Sequence, residues 1–102
     1  MRIEFLYWEE CPSHERALAR LREVLAEEEV RAPVDVVRVD TDEQARTLRF
    51  PGSPTIRIDG ADIMPPADLP AGLTCRVYYT DGGRATPLPT KDQIRRALRA
   101  AV

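Results

Sequence analysis

The order in which hydrophobic periods change along this chain limits its fold more than any other feature. Arg2 to Tyr7 alternate, with Ile3, Phe5 and Tyr7 on one face and Leu6 on the other. After the short connection Trp8-Glu9-Glu10, Cys11-Pro12 reads as a helix start, because proline at the first helical position loses no hydrogen bond. From about Pro12 to Glu29, Ala17, Leu18, Leu21, Val24 and Leu25 recur at helical spacing and form one apolar stripe. Val34 to Asp40 returns to a two-residue period, with Val34 and Val36 on one side and Val37 and Val39 on the other. Apolar residues on both sides predict a strand covered on both faces. Strand, helix and strand in this order predict parallel pairing through a right-handed crossover.

The remainder continues the pattern. Thr41 and Gln44 form a capping box for a short helix over Asp42 to Leu48, which Phe50-Pro51-Gly52-Ser53-Pro54 ends. Thr55 to Asp59 reads as a strand with Ile56 and Ile58 inward, and Asp59-Gly60 is a hairpin signal leading to a returning strand over Ala61 to Met64. Pro65 to Gly72 is a proline-rich loop. Cys75 to Thr80 reads as a further short strand with Val77 and Tyr79 on the side of Cys75, turned by Asp81-Gly82-Gly83 toward Arg84-Ala85-Thr86. A second capping box, Thr90 with Gln93, opens a final helix with Ile94, Ala97, Leu98 and Ala101 as its core stripe. The expectation is an α/β fold with a mixed central sheet and an inserted excursion, about residues 65–89, before the last helix.

At 102 residues the chain has room for one domain, residues 1–102. Its 43% hydrophobic and 31% charged residues are an ordinary globular balance. No apolar run approaches the ~20 residues of a membrane span, and no signal-peptide pattern opens the chain. A cytoplasmic protein without a membrane partner is expected. The formal net charge is −2, with basic residues scattered among carboxylates, so nucleic acid is not an expected partner. Two cysteines, Cys11 and Cys75, make no disulfide scaffold.

Cys11 stands where a helix start favours negative charge, so its thiolate is favoured there and its nucleophilicity at neutral pH raised. Glu9 and Glu10 oppose this by repulsion. His14, three residues on, either supports the thiolate, takes its proton, or is an exposed residue at the helix end. Trp8 and Tyr7 either line a substrate groove or plug the strand end.

The strand Ile3 to Tyr7, the motif Cys11-Pro12-Ser13-His14, and Gly52-Ser53-Pro54-Thr55 followed by Ile56-Arg57-Ile58-Asp59-Gly60 together resemble the thioredoxin superfamily. The resemblance covers most of the chain outside residues 65–89. It implies a three-layer α/β sandwich with Cys11 as nucleophile, Pro54 as a cis-proline, and Ser53 offering its backbone to an extended substrate. A protein or small-molecule thiol or disulfide is the implied partner, and no cofactor is implied.

The chain departs from the family at one position: His14 replaces the second cysteine of the motif, so exchange within the motif is closed to it. Three routes stay open: a monothiol mechanism resolved by an outside thiol, resolution by Cys75, or loss of redox function in a non-catalytic binding module. Cys75 has two readings, a resolving thiol brought over Cys11 by the excursion or a core cysteine at a strand start. A metal or metalloid handler is a further reading. Cys11, His14 and Cys75 supply only three ligands, one short of a closed zinc site, and no metal ligands are assigned.

Overall fold

A computed structural model describes residues 1–65 and 70–101. Five segments form strands and helices in the expected order: β1 (Ile3–Tyr7), α1 (His14–Glu27), β2 (Val34–Arg38), α2 (Asp42–Leu48) and β3 (Thr55–Ile58). They are followed by β4 (Ala61–Asp62), β5 (Tyr78–Tyr79), β6 (Ala85–Thr86) and α3 (Lys91–Ala100). The main sheet runs β2-β1-β3-β4, parallel between β1 and β2 and antiparallel elsewhere. The molecule is thus mixed α/β, with a mixed four-stranded sheet and three helices among the described residues.

Side-chain alternation on β1 assigns the two faces. Ile3 and Phe5 meet Ile56 and Ile58 of β3 under Ala17, Leu21, Val24 and Leu25 of α1 and Ile94 and Leu98 of α3. Leu6 points the other way, joining Val39, Ala45 and Phe50 beneath α2. Ion pairs reinforce the α1–α3 contact: Glu27 with Lys91 and Arg95, and Glu28 with Arg99. These charges reach across from one helix to the other.

Both capping boxes form, with Thr41 accepting from Gln44 N–H and Thr90 from Gln93 N–H. The Asp59-Gly60 turn has positive φ at both residues (52° and 85°), which closes the β3–β4 hairpin.

Three expectations change. Helix α1 begins at His14, not Pro12, after a turn that bonds Cys11 N–H to Trp8 C=O, and the Ser13 hydroxyl makes no cap but lies 3.4 Å from both the Cys11 sulfur and Pro87 C=O. Strand β2 lies at the sheet edge, so Val36 stays 44% exposed where cover on both faces was expected. The segment from Cys75 alternates as read, but its buried side is Arg76 and Tyr78, leaving Cys75, Val77 and Tyr79 outside.

Burying an arginine needs a carboxylate and further acceptors. The Arg76 side chain, 2% exposed, lies 2.7 Å from Asp62, also bonds Thr55 Oγ1 and Met64 C=O, and stands 4.6 Å from the Tyr78 ring. Tyr78 Oη donates to Pro54 C=O at 2.6 Å. These bonds tie the excursion to the β3–β4 hairpin. Asp62→Ala strands the guanidinium and is expected to lower the unfolding free energy by about 3–5 kcal/mol in chemical denaturation. Exposed Arg99→Ala, by contrast, should leave the midpoint near that of the parent chain.

Candidate functional site

The site forms where the loop after β1 meets the loop before β3. A turn brings Cys11 N–H to Trp8 C=O at 3.0 Å, setting the thiol just ahead of α1. Opposite lies the Ser53–Pro54 peptide bond, which is cis. Cys11 is 1% exposed. Its Sγ sits 3.4 Å from Ser13 Oγ and donates to Ser53 C=O at 3.5 Å.

The excursion supplies the third wall. Ser53 N–H donates to Thr74 C=O and Ser53 C=O accepts from Arg76 N–H, both at 2.8 Å, so Ser53 and Cys75 pair as in a parallel ladder. Cys75 thereby flanks the same Ser53 peptide to which Cys11 Sγ donates, and each thiol shifts the titration of the other. Cys75 is exposed, so it is no core cysteine.

This close approach depends on Gly52. At φ +133° it has a backbone that side chains rarely adopt. A Cβ there would lie 3.1 Å from Arg76 Cβ and 3.2 Å from Thr74 Cγ2.

The electrostatics divide the two thiols. Burial pushes the Cys11 pKa up, but hydrogen bonds from Cys75, from the hydroxyl and N–H of Ser13, and from Ser53 outweigh it, so the net shift is downward. The Cys75 pKa is pushed up to about 11, first by its bond to Cys11, then by burial and by the Cys11 charge. Of the two thiols, Cys11 therefore gives up its proton first as pH rises, while Cys75 keeps its own. Neither Glu9 nor Glu10 is among the groups that shift Cys11. Glu9 is paired with Arg38 at 2.5 Å.

The other residues singled out in the sequence divide as well. Trp8 donates its backbone N–H to Ser53 Oγ at 3.0 Å, leaving the hydroxyl proton free for the Cys11 sulfur, while its ring packs on the α2-side core. The His14 ring stacks on Tyr7 with centroids 4.7 Å apart and makes no hydrogen bond to Cys11. A cluster of Cys11, His14 and Cys75 is accordingly not assembled, and no group of three or more His, Cys, Asp or Glu side chains converges among the described residues. Ser53 was expected to present its peptide to a substrate. Its N–H and C=O are already taken by Thr74 and Arg76, so an extended chain finds no free edge there.

Two contributors escaped the sequence reading. Ser13 lay inside the motif, but a serine ahead of a helix reads first as a cap. Arg76 lay one residue from Cys75, and an arginine in a short strand reads first as exposed.

Compared with known proteins, the chain matches no family model, no curated protein and no solved structure.

Two outcomes follow from this geometry. Gly52→Ala is expected to cost about 1–3 kcal/mol of stability through its backbone strain, and to raise the Cys11 pKa by moving Cys75 away, read by thiolate ultraviolet absorbance. The pH dependence of the reduced chain has a definite sign. The lowered Cys11 pKa contributes stability that is full above the unfolded value of ~8.5 and lost as pH falls through the folded value. The raised Cys75 pKa contributes stability that is full below ~8.5 and lost as pH rises through about 11. The pair's contribution should peak near pH ~8.5, and Cys75→Ala should remove the peak in denaturation series across pH.

Proposed function

We propose that this chain is a thioredoxin-like three-layer α/β protein that exchanges thiols and disulfides through Cys11 and Cys75. The observation that carries the reading is the pairing of Ser53 with Cys75, which sets a second thiol beside Cys11 although the motif itself ends in His14. Support for the fold comes from the sheet order β2-β1-β3-β4, the helices on both faces, and a cis-proline facing the thiol.

In this reading Cys11 is the nucleophile. Hydrogen bonds lower its pKa, and the thiolate is the reactive form. Cys75 is the second thiol of the pair, 64 positions away in sequence. Closing the disulfide joins the two sulfurs, removes two electrons and the Cys75 proton, and passes them to an outside thiol–disulfide partner. Ser13 and Ser53 hold the Cys11 charge whenever the bond is open. A cytoplasmic setting suits a pair that cycles between thiol and disulfide.

The same pairing weighs against a non-catalytic module that grips peptide at the cis-proline, because the gripping edge is filled. Mild oxidation of the reduced chain is expected to consume both thiols in the monomer, with mass spectrometry finding one peptide that links Cys11 to Cys75. An oxidised product linked only between molecules would remove the reading.

A further inference from the structure

The two thiols differ in reach as well as in charge. Cys11 is closed off at 1% exposure behind Ser13, Ser53 and Cys75. Cys75 is exposed and lines a groove of about 410 Å³ with Pro51, Pro70, Thr74, Val77 and Tyr79. That volume suits a small molecule. Val77 and Tyr79 remain 51% and 57% exposed, so the groove offers apolar surface to water.

Its polar resources are few. Among the described residues that line it, Arg76 is the one that carries a charge, and that guanidinium is committed to Asp62, Thr55 and Met64 C=O. Pro51 and Pro70 have no N–H to offer. An anionic partner finds no free cation among these lining residues, and an extended peptide finds the Ser53 edge taken.

We propose that outside partners join the chain at Cys75, not at Cys11, and that the groove receives a small disulfide or thiol with an uncharged, apolar body beside its sulfur. This rests on the reading of Cys11 and Cys75 as a redox pair, and it reverses the order in which the two sulfurs meet the partner. Cys75 Sγ gives up its proton and bonds one sulfur of the partner disulfide, and the other sulfur leaves as a thiolate that takes up that proton. The Cys11 thiolate then attacks Cys75 Sγ, the bond from Cys75 to the partner breaks, and the second partner sulfur leaves as a thiolate. The protein loses two electrons and holds a Cys11–Cys75 disulfide; the partner disulfide gains two electrons and becomes one thiol and one thiolate. The reverse sequence oxidises small thiols, with Cys11 as the leaving thiolate.

The experiment compares Cys11→Ser and Cys75→Ser, checked for folding, with dithiodipyridine, an uncharged aromatic disulfide. Cys11→Ser is expected to form its adduct at least about ten-fold faster, because a thiol closed off from water reacts only when the site opens. A faster adduct at Cys11 in Cys75→Ser overturns the proposal. Oxidation of the parent chain runs alongside. If the internal disulfide forms while Cys75→Ser is the fast variant, the redox pair stands and the point of attack proposed here falls. If no internal disulfide forms, both fall.

Should Cys11→Ser not fold, acid quenching of the parent chain during its first turnover locates the adduct, on Cys75 in support or on Cys11 against. For the groove, Val77→Asp and Tyr79→Asp are expected to slow dithiodipyridine. The parent should also react faster with it than with dianionic dithiobisnitrobenzoate once their intrinsic rates with a free cysteine peptide are divided out. Equal corrected rates, or no effect of the aspartates, overturn the assignment of the partner.

Discussion

Two backbone hydrogen bonds on either side of Ser53 hold the site together. They fasten residues 74–76 to the loop carrying the cis-proline and bring Cys75 to Cys11. Each works only because something else is in place. Gly52 leaves room for the Arg76 backbone to approach. The Arg76–Asp62 pair and the Tyr78–Pro54 bond hold the same segment from its buried side. An exposed thiol thus rests on a segment whose alternate side chains, Arg76 and Tyr78, are buried and hydrogen-bonded.

The arrangement also sets the chemistry of the thiols. A buried cysteine with no partners would have its pKa raised. Here several donors converge on one sulfur: the Ser13 hydroxyl and N–H, the Ser53 hydroxyl, and the Cys75 thiol. Trp8 contributes indirectly, its N–H occupying a lone pair of Ser53 Oγ and leaving the hydroxyl proton for Cys11. The helix start adds less than the motif suggested, because α1 opens only at His14 and Ser13 spends its hydroxyl on the sulfur instead of capping. Cys75 is stabilised as the donor in this arrangement, so its shift runs opposite to that of Cys11.

Filling the cis-proline edge from within has a consequence for recognition. A backbone edge that is free can pair with any extended chain. Here the chain's own residues 74–76 take that place, and what remains open is the side-chain surface around Cys75, Val77 and Tyr79. Under the proposed reading, recognition depends on the shape and polarity of that groove rather than on main-chain pairing.

The elements of this fold were legible because each is governed by local spacing. The alternation of Ile3, Phe5 and Leu6 assigned both faces of the central strand, Asp59-Gly60 closed its hairpin, and the Thr41–Gln44 and Thr90–Gln93 boxes started two helices. Cys11 was legible for the same reason, lying at a break between periods, whereas the cis bond at Pro54 was implied by the resemblance to a family and not by spacing. What spacing does not carry is which distant segments meet. Val36 reads as covered until β2 proves to be an edge, and His14 reads as a partner of Cys11 or as an exposed helix-end residue until its ring stacks on Tyr7. Cys75 reads sooner as core than as active until Ser53 pairs with it. The sequence by itself determined the elements and the place of the first thiol, because those follow from neighbours along the chain. Only the tertiary structure decided the second thiol, because a contact between residues 11 and 75 rests on a glycine's backbone angle and a buried ion pair, and both act across space.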